Sequence, residues 1–377
     1  MGDVERLTVR RPDGSDVVWD VEMDPGLPEE TKRFRTRRGS YRDYRLAIRY
    51  AIGGDPAEFA LENAIAVGLR MLRRFDADQQ LPWELPVARY PWELSQLLGY
   101  NVDCAEPFSV TVEYGTPLDS LTGPLSSPDD LRAFITSLAR GLFLLDRLGV
   151  VHRQLRDNTV HWDSRSRMVQ INRFEYARQV PAERARLSQI RTEQERTPRD
   201  WESPEQITGG GSLDPRDDLY SAGCAVLRVA TGGLRLGPDR RPEVGASGNQ
   251  WLARLLAGVF EPVDGRPDAA ELLRRIGHEV SPDHLPRPDN DHLAEGRGAY
   301  DRLTAARRAL VHRPRDDPEP PRWTGGDSAP RRDPPTPSGG PSAAGARPSA
   351  ASGQPRSDSH PPPRPPQPYR QTKRRGR

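Results

Sequence analysis

His152 is a mid-chain residue whose type suits proton transfer near neutral pH. It stands in the polar run Val150-Val151-His152-Arg153-Gln154-Leu155-Arg156-Asp157-Asn158-Thr159-Val160. A packed structural histidine is the plainer reading of it. A second polar group, Asn172-Arg173-Phe174-Glu175, follows the short apolar run at 169–171. Of the 56 basic residues only Lys32 and Lys373 are lysine, so no primary amine is available for phosphate contact between Arg33 and Thr372. Arginine presents a planar fork where lysine presents a compact point charge, and the two are not interchangeable. The two cysteines, Cys104 and Cys224, have neither metal-ligand spacing nor a CxxC pattern, which argues against a zinc site and a disulfide framework.

The elements that would carry these residues are legible from periodicity. Leu7 and Val9, then Val17, Trp19 and Val21, alternate on either side of Pro12-Asp13-Gly14-Ser15, a hairpin pattern over 5–22. An arginine-rich polar stretch, 32–38, precedes a strand at Tyr44–Tyr50. Asp55-Pro56 opens a helix with Phe59, Ala60, Ile65, Leu69 and Leu72 at helical spacing. Ser109–Tyr114 reads as a strand that stops at Gly115. Ser127-Pro128-Asp129-Asp130 is a helix start, with a serine cap, proline in the first turn and acids at the positive dipole end. Short strands at Thr159–Trp162 and Val169–Asn172 follow, then buried helices at Leu219–Val229 and Ala269–Ile276. A weak helix is expected at Tyr300–Leu310.

Taken in order, these segments resemble the serine/threonine protein kinases. The run from His152 to Thr159 is similar to that family's catalytic loop, H-R-D-L-x-x-x-N, and Arg173-Phe174-Glu175 falls where the family has D-F-G. Ser203-Pro204-Glu205-Gln206 resembles the end of the activation segment. Asp217-Asp218-Leu219-Tyr220 resembles the start of the buried helix after it, and Gly265-Arg266-Pro267-Asp268 resembles a later motif that supplies an arginine. The resemblance covers residues 30–280. It implies an α+β, two-lobed protein-kinase-like fold. Residues 1–30 would be an N-terminal hairpin extension, 31–114 the β-rich small lobe, 115–280 the mainly helical lobe, and 281–377 a disordered Pro/Arg-rich tail.

The same resemblance exposes what is missing. Phosphoryl transfer in the family needs a lysine on the phosphates, a glutamate holding it, an aspartate near the substrate hydroxyl, and Asp and Asn on magnesium. The lysine position falls on Arg49 and the helix glutamate on Glu62, with Glu58 as the other candidate. The substrate-facing Asp falls on Gln154, the metal-binding Asn on Thr159, with Asn158 one place out of register, and the metal-binding Asp on Arg173. No G-x-G-x-x-G precedes Arg49; Gly39 in Arg38-Gly39-Ser40-Tyr41 is the nearest remnant. Removing a general base lowers a rate by about 10²–10⁴-fold, and a cation in the metal's place removes the main charge stabiliser. The scaffold positions His152, Arg153, Glu205, Asp218 and Arg266 match the family. By that resemblance Glu205 pairs with Arg266, and Asp218 holds the catalytic-loop backbone. Arg173 would be a built-in cation under a nucleotide phosphate, or would close the cleft by pairing with Glu62 or Glu175. Thr192, Thr197 and Ser203 lie where the family carries phosphosites, although an ordinary polar loop is the plainer reading.

The expected function is therefore that of a pseudokinase acting as a scaffold or regulator through protein partners, with no cofactor expected and ATP bound, if at all, without magnesium. The alternative is a divergent serine/threonine kinase with weak ATP-dependent transfer. A net charge of +2 does not suit a specific nucleic-acid binder. Nearly half of the 39 prolines lie after His312, in a tail with no apolar run. Its Pro361–Pro366 segment offers a polyproline ligand for an aromatic-groove domain. No stretch reaches the roughly 18 apolar residues of a membrane span, the N-terminus lacks an apolar signal core, and a reducing cytoplasm suits the cysteine usage.

Overall fold

The computed structural model describes residues 3–42, 44–76, 90–125, 127–179, 201–208 and 213–279. These belong to one compact unit, Met1–Arg315; a second unit, Asp316–Arg377, lies wholly outside the described residues. The tail of 281–377, the helix expected near Tyr300, and Thr192 and Thr197 therefore lie outside them as well.

The architecture is mixed α+β, β-rich first and helical later. Strands β1 (Val4–Arg10), β2 (Asp16–Met23), β3 (Glu29–Glu30), β4 (Phe34–Tyr41) and β5 (Tyr44–Ala51) precede α1 (Asp55–Asp76). Then come β6 (Leu97–Asn101), β7 (Phe108–Val112), β8 (Thr116–Pro117) and α2 (Pro128–Arg147), followed by β9 (Val150–Val151), β10 (Val160–Asp163), β11 (Met168–Ile171) and β12 (Arg178–Gln179). Helices α3 (Pro204–Thr208), α4 (Arg216–Thr231), α5 (Gln250–Leu255) and α6 (Ala269–Ile276) complete the described chain.

Six strands close into a barrel in the order β2-β1-β6-β7-β5-β4, with β2 pairing back onto β4. The N-terminal hairpin does not stand apart as an extension: it supplies two staves. The polar stretch at 32–38 lies mostly in β4, whose backbone pairs with β5 along its whole length. Ladder bonds outweigh the low strand propensity of its arginines, which alternate with the buried Phe34 and Thr36. Leu7, Val9, Trp19, Val21, Ile48 and Tyr50 fill the barrel. The closure needs a glycine at 39: a Cβ there would lie 2.6 Å from the Glu22 carbonyl oxygen where β2 meets β4. Gly39 is thus explained by strand packing, with no phosphate loop required.

The two-residue period of β5 decides which side chains leave the barrel. Leu46, Ile48 and Tyr50 join the interior cluster. Ala47 and Arg49 point the other way and line the cleft described below. Helix α1 packs on the outside through Leu61, Ile65 and Leu69 against Leu97, Tyr100 and Phe34. Phe59 does not join this face; it is 58% exposed. Below, α2 is the central helix, capped by Ser127, whose side chain accepts from the Asp130 N–H. Its buried stripe packs with α4, α6, β10 and β11 in one cluster. Among the described residues no helix is long and apolar enough to cross a membrane.

Candidate functional site

The loop after β9 is built on one carboxylate. Asp218, fully buried near the start of α4, accepts the backbone N–H of His152 and, at 2.8 Å, that of Arg153. Burial pushes the Asp218 carboxyl up to about 7, while the two amide donors pull the other way. Arg153 takes a left-handed turn at φ 64°, and this anchoring holds it there. His152 is wholly buried. Its Nε2 reaches the Asn172 carbonyl at 2.9 Å, and its Nδ1 accepts the Gln154 N–H at 3.2 Å, an arrangement that assigns the proton to Nε2. Burial lowers its pKa to about 4, so it is a neutral packing residue, edge-on to Phe174 with ring centroids 4.9 Å apart.

Thr159 ties the loop to itself. Its hydroxyl accepts the Arg156 N–H and donates to the Gln154 carbonyl, both at 2.9 Å. That hydroxyl is committed to the loop's own backbone. Asn158 carries a buried Oδ1 with no hydrogen-bond partner among the described residues, a lone acceptor oxygen.

Across the cleft, Arg49 of β5 pairs with Glu175, donates to Thr36 Oγ1 at 3.0 Å and stacks over the Phe34 ring at 4.1 Å. Burial pulls its pKa down, with Glu175 opposing. Glu62, the sequence-level candidate for this pairing, is buried on α1, but the ion pair of Arg49 is with Glu175. Arg173, held at φ 68°, does not pair with Glu62 or Glu175 as expected. Its Nη2 lies 2.6 and 2.8 Å from the two oxygens of Glu29 on β3. Arg38 of β4 continues the chain of charges, with Nη2 3.4 Å from Glu29 and Nε 2.9 Å from Glu113. Burial alone would raise the Glu29 carboxyl; Arg173, Arg38 and Arg49 outweigh it and hold it below the usual carboxylate range. Glu113 also lies 3.5 Å from His161 Nδ1, and burial lowers His161 below its usual value.

This network fills the space between barrel and helical part. The cavity that Ala47, Arg49, Thr111, Glu113, Asn172 and Arg173 line measures about 40 Å³, far below the ~300–1,000 Å³ of small-molecule sites. The guanidiniums of Arg49 and Arg173 line this cavity, and a cation repels a cation. Among the described residues no cluster of three His, Cys, Asp or Glu forms a metal-ligating group.

Sequence reasoning missed two positioning residues. Asn63, in the third turn of α1, aims Nδ2 at the carbonyls of Glu175 (3.0 Å) and Ala177 (2.9 Å), with Phe174 at 3.3 Å. The signal was an asparagine inside an otherwise good helix, where it is a poor former unless its amide has work elsewhere. Glu29 was missed because nothing in the local sequence links β3 to Arg173, 144 positions away.

The third cluster lies in the helical part. Arg266 has a side chain with no exposure. It reaches Glu205 at 2.8 Å, Asp217 at 3.1 Å, and the Glu261 and Arg216 carbonyls at 2.9 and 3.2 Å, and it stacks over Tyr220. Ser203 is fully buried; its hydroxyl donates to Asp217 at 2.8 Å and accepts the Gln206 N–H, while Gln206 Oε1 accepts the Ser203 N–H. This is a reciprocal cap on α3, a structural role that leaves the hydroxyl unavailable for modification.

No family model matches the chain. A DNA damage-responsive serine/threonine-protein kinase, RqkA, of Deinococcus radiodurans is 32% identical over 195 residues, covering 49% of this chain and 25% of that protein. The match thus spans about a quarter of the relative's length. It supports a kinase-like relationship for about half of this chain.

Proposed function

We propose that the chain is a two-lobed, kinase-like module that has lost phosphoryl transfer and works as a scaffold or regulator by binding a protein partner. The barrel with α1 is the small lobe, and α2 to α6 with β8 to β12 form the larger one. The relationship to a serine/threonine-protein kinase and the Asp218 and Arg266 anchors support the kinase-like part. The observation that carries the loss of chemistry is the cleft. Arg173 faces Glu29 where a divalent ion would be needed, and Gln154 offers no carboxylate to take a proton. Phosphoryl transfer rests almost wholly on positioning and charge stabilisation by metal and cations, and the ion pairs Arg49–Glu175 and Arg173–Glu29 already consume those charges.

Incubating the purified chain with radiolabelled ATP, with and without magnesium, tests this. The expected result is no labelled product and no magnesium-dependent rise in melting temperature. Labelled product that disappears on Gln154→Ala substitution, together with magnesium-dependent stabilisation, would establish the divergent-kinase reading instead.

A further inference from the structure

Three arginines converge on one carboxylate in the cleft. Arg173 holds both oxygens of Glu29, Arg38 reaches one of them, and the charge of Arg49 acts on it from deeper in. Two of these arginines have their own counter-ions, Glu175 for Arg49 and Glu113 for Arg38. Glu29 is the counter-ion of the third. It is also the least enclosed partner: its side chain is 35% exposed, against 10% for Arg173 and 2% for Glu175. The strand that carries it is two residues long and pairs with β4 alone, at the margin of the sheet. Leu27, just ahead of it, is 98% exposed and anchors nothing. Segments with so little buried contact open at small free energy. Once Glu29 leaves, Arg173 has lost its counter-ion, and an anion from solution can take the vacated place.

We propose that Arg173 and Arg38, with the charge of Arg49 behind them, form a metal-free binding site for a small phosphate-type oxyanion and that Glu29 is its built-in plug. The inference rests on the reading of this cleft as unable to hold a divalent cation. Guanidinium forks match tetrahedral oxyanions through paired N–H donors and need no bridging metal. The cavity that Arg49 and Arg173 line, about 40 Å³, suits a small anion and is too small for a nucleoside. Wild-type affinity is the intrinsic affinity reduced by the fraction of time β3 is lifted.

The test is calorimetric titration of the full chain with inorganic phosphate, without magnesium, at ionic strength fixed with chloride. Glu29→Gln removes the competing charge and is expected to tighten phosphate binding about tenfold or more. Adding Arg173→Met abolishes that gain. Glu106→Gln, which takes an exposed carboxylate from Arg35 on the same sheet, leaves the affinity at the wild-type value. Arg173→Met alone weakens phosphate binding by the wild-type chain, a readout independent of how well Glu29→Gln folds. The proposal is overturned if Glu29→Gln melts cooperatively yet binds phosphate no tighter than wild type, or if Glu106→Gln gives the same gain. Magnesium-dependent phosphorylation by the chain would sink the proposed function while leaving these titrations to stand on their own.

Discussion

Two arginine–carboxylate clusters hold this chain together, and their surroundings differ. Around Arg266, all three guanidinium nitrogens donate, to carboxylates and to backbone carbonyls, and the side chain has no exposure. Around Arg173, the pairing relies on one carboxylate that is a third exposed and sits on a two-residue strand. The first cluster ties α3, the start of α4 and the 261–266 turn into one block. The second joins two parts of the chain through a contact that is easily withdrawn. A buried pair completed by backbone acceptors fixes a fold; a pair with one partly solvated partner can be exchanged.

The sharpest way to break this comparison is Arg266→Met. It strands Asp217 and Glu205, and removing one partner of a buried pair typically costs about 3–5 kcal/mol. Urea denaturation at neutral pH should show that loss; a change under about 1 kcal/mol would place the two clusters in the same class.

Next comes Glu93, fully buried on the segment before β6, with neither carboxylate oxygen hydrogen-bonded among the described residues. Burial raises its pKa to about 7, with Arg140 opposing. The folded state therefore keeps a proton that the unfolded chain releases at its ordinary carboxylate pKa. Stability falls as pH rises from about 4.5 to 7 and is flat beyond. Glu93→Gln removes this term and is expected to stabilise by about 3 kcal/mol at pH 8 and to change nothing at pH 4. Paired melts at the two pH values check both halves.

His152 works in the opposite sense. Its folded pKa of about 4 lies below the ordinary histidine value, so stability is lost as pH falls from about 6.5 toward 4. His152→Phe should flatten that acid limb.

The smallest expected effect is on the exchangeable pair. Glu29→Gln should alter stability by less than about 1 kcal/mol, since a partly solvated pair contributes little. A loss as large as that of Arg266→Met would mean that β3 is not a removable plug.

The sequence carried some of these elements plainly and others not at all. Helix α2 was legible because Ser127, Pro128 and Asp129 mark its start and its apolar stripe repeats at helical spacing. The hairpin β1–β2 was legible from alternation around Pro12-Asp13-Gly14-Ser15. Barrel closure was not, because β2 meets β4 through only two paired positions, Glu22–Ser40 and Met23–Gly39, and such a seam leaves no pattern in either segment. In the cleft, the kinase-like spacing singled out Arg49 and Arg173, and both line one cavity. The spacing did not single out their partners: Glu175 and Glu29 were chosen by geometry across the fold, and Glu62 was the nearer guess only along the helix.

The hairpin's place in the barrel reaches beyond the cleft. A fragment cut at residue 31, the boundary that the motifs alone suggest, would lose β1 and β2 and leave the outer sides of β4 and β6 unpaired. Ile48, Tyr50 and Phe108, which pack against Leu7, Val9 and Trp19, would meet water. Open strand edges beside bared apolar side chains recruit other chains, so such a fragment is expected to associate more than the longer chain does, and light scattering would show it.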